Sequence, residues 1–295
     1  MKKNLKDMTS EIVKLYEEKN SIRAIAKIVD GSISGVKRIL NKENVAMRNK
    51  CASLNLCPDA LNKQEYDLLL GSILGDGGLT VPKTNGESQF YVGHGLMQKE
   101  YIEHKHDVLK RWVGCRLYPL VHNNKNGKQY TTLNFLTRKN AKFTELRKLF
   151  YNNDRKKIIP AQYLEDNLVA ESLAYWYMDD GTNIRNKGCQ ICSESFTEED
   201  NQKLAEIVNK KFNLKFYLIR IRSKEYRLSL YKKDKTDFFE IIRKHTLPLF
   251  TYKLESSETT RHTSIQNEED IVRSAMKVAE VQPASRIHIE SEVSK

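Results

Sequence analysis

Residues 69–77 read Leu-Leu-Gly-Ser-Ile-Leu-Gly-Asp-Gly, and residues 173–181 read Leu-Ala-Tyr-Trp-Tyr-Met-Asp-Asp-Gly. Each is an apolar helical stretch that ends on an acid followed by Gly. A helix C-terminus is the negative end of the helix dipole, so a carboxylate there stands against the local field and calls for a cation. The closing residue, Gly77 or Gly181, reads as a left-handed helix stop. Two such segments about a hundred residues apart predict an internal duplication.

Working outward from the first segment, periodicity predicts a helix over 65–75, a strand over 89–95, a helix over 99–113, a strand over 130–137 and a helix over 141–151. The second half predicts a helix over 170–180, a strand over 189–193 and a helix over 198–212 behind a Thr197 cap. A hairpin over 216–222 and 226–231 and a helix over 238–245 follow. The halves correspond element by element, as a pseudo-dimer requires. Gly71 and Gly75 lie one turn apart and give the first signature helix a flat strip for close packing. On the second helix only Ala174 is comparably small, with Tyr175 and Asp179 in the other places, so close approach rests mainly on the first.

Residues 1–50 form a different unit. Ile12, Val13, Leu15 and Tyr16 make one helical stripe, 22–29 a second short helix and 33–40 a third, with Asp30-Gly31-Ser32 as the turn before the last. Two short helices joined by a Gly-containing turn suit a helix-turn-helix as well as a small three-helix bundle. Twelve Lys/Arg against six Asp/Glu give this unit a net charge of +6. Residues 51–63 read as a linker, 64–160 and 161–255 as the two halves, and 256–295 as a polar tail, largely disordered, with one short helix over 270–281.

The 295 residues suffice for two or three units with a sizeable core. Net charge is +12, but the tail carries five basic against seven acidic residues, so all of the excess precedes it and points to a polyanionic partner. The absence of a secretory signal or membrane-length apolar run predicts a soluble, intracellular, reducing setting. Five cysteines, an odd number, argue against a disulfide framework. Cys189 and Cys192 form a CxxC with no second pair at zinc spacing, since Cys51 and Cys57 are far off; alternation at 189–193 reads as a strand instead.

Both nonapeptides resemble the signature of the LAGLIDADG homing endonucleases, whose eighth residue is a metal-binding acid and whose ninth is Gly. Asp76 and Asp180 fall at the eighth position. Lys157-Ile158-Ile159-Pro160 before the second signature, Ser195-Phe196-Thr197-Glu198-Glu199 after it and Tyr252-Lys253-Leu254 beyond extend the resemblance over about residues 64–254. It implies an α+β fold: a pseudo-twofold duplicated core with a DNA-binding β-sheet saddle, here preceded by the small all-α unit. It implies an Mg²⁺-dependent, site-specific double-strand DNA endonuclease working as a monomeric pseudo-dimer on double-stranded DNA, in the cytoplasm of a bacterium or phage-infected cell or in an organelle matrix. Some relatives bind intron RNA, so an RNA-splicing maturase is one alternative and a non-catalytic DNA-binding regulator another; two intact acids favour the nuclease.

The resemblance assigns the metal to Asp76 and Asp180, with main-chain carbonyls of Gly75 and Asp179 as helpers. The Asp179 side chain, about 100° round the helix from Asp180, is expected to face elsewhere. Lys157 and Lys253 match the family's basic residue beside each metal. DNA readout is expected on the open strand faces, from Thr132, Asn134, Gln190, Arg220, Arg222, Arg227 and Ser229, by alternation against inward Leu133, Phe135, Cys189, Ile191, Leu228 and Leu230. The run from Ser21 to Val29 with Ser34 to Leu40 resembles the helix-turn-helix of resolvase-like and transposase-like proteins, which places Lys37 and Arg38 near DNA.

Overall fold

The computed structural model describes residues 8–18, 20–45, 58, 60–82, 86–124, 126–184, 187–223 and 225–255. The tail beyond 255, with its expected helix over 270–281, and most of the 51–63 linker, with Cys51 and Cys57, lie outside them. The chain divides into two compact units at Pro58.

The first unit holds three helices, α1 (Thr9–Glu17), α2 (Ile22–Ile28) and α3 (Ile33–Lys42). Ser21 and Ser32 cap the last two by accepting from the N–H of Ala24 and Gly35. Ile12, Tyr16, Ile25, Val29, Val36, Ile39 and Leu40 close a core of their own. The α2–α3 turn takes its left-handed residue at Asp30, with φ of 48°, a conformation a short polar side chain tolerates.

The second unit repeats one motif. Its first half runs α4 (Lys63–Leu74), β1 (Gly78–Leu79), β2 (Phe90–Gly95), α5 (Lys99–Val108), β3 (Tyr118–Asn123), β4 (Gln129–Leu136) and α6 (Ala141–Phe150). After α7 (Ala161–Asn167), the second half runs α8 (Ala170–Asp180), β5 (Gly181–Ile184), β6 (Gly188–Ile191), α9 (Glu198–Phe212), β7 (Tyr217–Arg222), β8 (Glu225–Tyr231) and α10 (Lys232–Arg243). The strands form two antiparallel sheets with matching orders, β1-β2-β4-β3 and β5-β6-β8-β7. One core, from Leu68 to Leu254, runs through both halves.

Helices α4 and α8 meet at the centre, and Gly71 and Gly75 make the meeting possible. A Cβ on Gly71 would strike the Ser172 carbonyl and lie 2.6 Å from the Tyr175 Cβ; one on Gly75 would lie 2.6 Å from the Asp179 Cβ. Gly71→Ala is therefore expected to destabilise the second unit by at least ~2 kcal/mol, since a backbone carbonyl cannot step aside as a side chain can. A denaturant midpoint unchanged by this substitution would contradict the close helix crossing.

Gly77 and Gly181 correct the expectation of left-handed stops. Among the described residues only Gly127 is a glycine with positive φ, and Gly181 is extended. Both are glycines for lack of room: a Cβ on Gly77 would lie 2.6 Å from the Phe90 ring, and one on Gly181 would strike the Tyr177 ring and carbonyl.

Candidate active site

The paired helices end together, and each end carries an acid and a lysine. On the first, Gly75 caps α4 and the Asp76 side chain is 44 % exposed. On the second, α8 runs through Asp180, whose carbonyl accepts from the Cys192 N–H at 3.0 Å. A 350 Å³ cleft is lined there by Asp179, Asp180, Gly181, Thr182, Asn183, Cys192, Tyr252 and Lys253.

The lysines are bound to main-chain carbonyls at these ends. Lys157 Nζ donates to Gly75 O at 2.8 Å and Gly77 O at 2.9 Å. Lys253 Nζ donates to Met178 O at 2.7 Å and Tyr177 O at 3.4 Å. A cation at a helix C-terminus is where the dipole favours it. Burial nevertheless pulls the Lys157 ammonium down to about 8, against the opposing pull of Asp180, Asp76 and Asp179, and lowers Lys253 in the same way.

The acids shift the other way. Burial, then the neighbouring charges of Asp76 and Asp179, pushes Asp180 up to about 8; burial and Asp179 raise Asp76 despite Lys105, Lys157 and Lys253. Three lysines, Lys105, Lys157 and Lys253, stand among three acids, yet burial still raises both Asp76 and Asp180. Carboxylates and carbonyls are hard oxygen donors, suited to Mg²⁺, Ca²⁺ or Mn²⁺. Asp76 and Asp180 fit such an ion on the chemistry of their donors, and a bound cation would offset the cost of ionising them where they are buried. The Gly75 carbonyl, expected as a helper ligand, is occupied by Lys157.

Asp179 departs from expectation. Its side chain does not turn away from the site but fills the space left by Gly75, because α8 crosses α4 there. One carboxylate oxygen accepts from Tyr101 Oη at 2.6 Å and Lys105 Nζ at 2.8 Å; the other accepts from Lys105 Nζ at 3.0 Å and the Asp76 N–H at 3.2 Å. A carboxylate of Asp179 could join Asp76 and His94 as a ligand group within 4.8 Å. Its oxygens are already satisfied by a lysine, a phenol and an amide, which argues against that role.

His94, Tyr101 and Lys105 are the residues that sequence reading missed. His94 is buried on β2, its Nδ1 3.6 Å from Asp76 Oδ2, and among the described residues its Nε2 has no hydrogen-bond partner. Burial, then Lys105, drops it to about 3, so the ring is neutral. Its signal was phase: Phe90, Val92 and His94 share the inward face of β2. Lys105 likewise lies on the apolar face of α5 with Tyr101 and Ile102.

On the sheets, Leu133, Phe135, Cys189, Ile191, Leu228 and Leu230 all face inward. Of the expected DNA contacts, Thr132 and Asn134 are half-buried and bonded together, Asn134 Nδ2 donating to Thr132 Oγ1 at 2.8 Å, while His122 Nε2 lies 2.8 Å from that oxygen. Gln190 is half-buried. Arg220 folds onto the carbonyls of Arg222 and Ser223, Arg222 is exposed 3.8 Å from Glu225, and Arg227 pairs with Glu194. Ser229 is a correction: it is 5 % exposed, because its cross-strand partner Tyr217 and its face neighbour Tyr231 stack with ring centroids 4.3 Å apart. Tyr231 is the exposed group of that pair. In the first unit, Lys37 and Arg38 are exposed on α3 beside Ser34, Asn41 and Lys42. Cys189 and Cys192 are free thiols.

Residues 66–238, more than half the chain, match the LAGLIDADG DNA endonuclease family. The chain belongs to this family. Its fold superposes on the homing endonuclease I-WcaI, solved bound to its DNA recognition sequence, with a TM-score of 0.65 and 26 % identity over 72 % of this chain and 97 % of that one. The DNA endonuclease I-ChuI of Chlamydomonas applanata is 25 % identical over 66 % of this chain and 96 % of its own length. RecA of Mycobacterium gastri is 29 % identical over 67 % of this chain and 48 % of its own. The chain thus spans about half the length of the RecA relatives that it matches. No helix among the described residues is long and apolar enough to cross a membrane.

Proposed function

We propose that this LAGLIDADG chain is a site-specific homing endonuclease that hydrolyses both strands of duplex DNA with Mg²⁺, as a monomer with two pseudo-symmetric sites. The observation that carries the reading is the pair of acids, Asp76 and Asp180, at the adjoining ends of packed helices, each with a lysine ammonium on the carbonyls beside it. Duplex DNA has two strands related by an approximate twofold axis, so two acids beside a pseudo-twofold axis address both. The bound ion would supply a hydroxide near neutral pH and neutralise charge on the phosphoryl oxygens. The chain's own part is to hold that ion with Asp76 and Asp180 and to set Lys157 and Lys253 where they stabilise charge developing on the phosphate. Intracellular location follows from the substrate.

Incubation with a randomised duplex library in Mg²⁺ or Ca²⁺, followed by sequencing of cut and retained ends, tests the reading. Recovery of one cut sequence in Mg²⁺ is expected; retention without cutting in either ion would favour a regulator, and selective retention of structured RNA a maturase.

The metal should bind in a pH-dependent way. Folded Asp180 keeps its proton up to about 8, whereas an unfolded Asp ionises near ~4. In chelator, this group's favourable contribution is therefore complete below the unfolded value and lost as pH rises through about 8. A divalent ion must displace that proton at lower pH. The rise in melting temperature on adding Ca²⁺ should be small at pH 6 and grow towards pH 8.5; a shift of constant size would contradict Asp180 as a ligand.

The three-helix unit is proposed as a second DNA contact, supported by the open row of Ser34, Lys37, Arg38, Asn41 and Lys42 on α3. Deleting residues 1–50 should shorten the footprint on one side and weaken binding, and charge reversal of Lys37 and Arg38 should flatten the salt dependence. An unchanged footprint on the truncated protein would reject the unit as a DNA-binding one.

A further inference from the structure

The two signature helices do not end alike, and one buried ion pair fills the difference. Helix α4 stops at Leu74, two positions before its acid, while α8 continues through Asp180. The Asp76 N–H donates not to its own helix but across the pseudo-twofold axis, to Oδ2 of Asp179 at 3.2 Å. That carboxylate is wholly buried and anchored back in the first half: Lys105 Nζ stands 2.8 and 3.0 Å from its oxygens and Tyr101 Oη 2.6 Å from one of them. Lys105 and Tyr101 are themselves 0 % exposed and lie one turn apart on α5.

The arrangement has no mirror. The position in the first signature that corresponds to Asp179 is Gly75, which has no side chain with which to hold Asp180 in return. Packing alone does not call for the pair, because a buried ion pair replaced by apolar residues of similar volume is often no less stable. What the pair supplies is a rigid acceptor for one amide next to a catalytic acid.

Resting on the endonuclease reading above, we propose that Lys105 and Asp179 are positioning residues for the first of the two cleavage sites only. They fix the main chain of Asp76, and through it the aim of its carboxylate, while Asp180 is aimed by its own helix. Disturbing them should convert a double-strand cutter into one that strongly prefers one strand, because displacing a reacting group by about 1 Å costs up to ~100-fold in rate.

Removing one charge alone would strand its partner in the interior, so the informative variants remove both. Lys105→Met with Asp179→Ala leaves the Asp76 N–H without an acceptor; Lys105→Met with Asp179→Asn leaves an amide oxygen in its place. The substrate is a duplex that the wild-type protein cuts in the library selection, with the two strands separately labelled and the enzyme in excess over DNA. The Ala double variant is expected to slow one strand at least about tenfold more than the other, and the Asn double variant to keep the wild-type strand ratio within about threefold. Equal slowing of both strands, or an unchanged ratio in the Ala variant, would overturn the proposal. If the double variants lose their cooperative melt, Tyr101→Phe takes their place, since it removes only the hydroxyl bonded to Asp179. It should shift the strand ratio about two- to fivefold, and an unchanged ratio would be decisive against the proposal. A wild-type protein that cuts neither strand would instead refute the endonuclease reading itself.

Discussion

Asp76→Asn and Asp180→Asn are each expected to lower double-strand cleavage at least about a thousandfold while leaving DNA affinity within about tenfold. Asn keeps the shape of the side chain and loses the charge that would hold a hard divalent ion. Asp180→Asn carries a second, opposite signature. Its carboxyl is raised to about 8 by burial and by Asp76 and Asp179, so at pH 8 in chelator the amide should be the more stable protein. Lost activity alongside that gain is what a metal ligand gives, whereas a buried acid with no part in metal binding gives the gain alone. Single-turnover cleavage and a melt in chelator, made on the same preparations, separate the two. Wild-type cleavage in either variant would remove that acid from the site.

Lys157→Met and Lys253→Met should slow single-turnover cleavage about 100- to 1000-fold, the scale of removing one preorganised donor from a charge-developing transition state. Binding should change far less. Both ammonium groups are held by main-chain carbonyls at the helix ends beside the acids, so their charge would act at the reacting phosphate more than on overall affinity. The pull of burial on Lys157, to about 8, also brings its proton within reach of exchange near neutral pH. Weaker DNA binding with an unchanged single-turnover rate would make these lysines phosphate contacts after all.

Much of the fold was legible because its signals were local. Helices α8 and α9 run over the residues that apolar periodicity and the Thr197 cap mark out. Strand β3 was hidden by Pro119, which reads as a breaker and is tolerated because β3 lies at the edge of its sheet. The opening of α10, Lys-Lys-Asp-Lys-Thr-Asp, has no apolar repeat, and only Phe238, Phe239 and Ile242 of that helix are buried. Strand β1 has two residues and β5 four, too few for any period to show.

The candidate site was legible in part for the same reason. The acids and lysines sit in contiguous motifs, whereas Lys105 and His94 belong to the site only because α5 and β2 fold beside it. Asp179 was misread from helical geometry alone, since 100° of rotation from Asp180 turns it towards the partner helix and the Asp76 N–H rather than away from the site. Ser229 was misread by strand alternation, which gives a face but not what covers it.

The central claim is that Asp76 and Asp180 together hold a divalent ion at the paired helix ends. Calorimetric titration of Mn²⁺ into the protein bound to its uncut duplex tests it most directly, with wild type beside the double variant Asp76→Asn/Asp180→Asn. Saturable binding in the wild type and none in the variant, with the duplex still held by both, is the expected result; equal uptake of the ion by the two proteins would contradict the account.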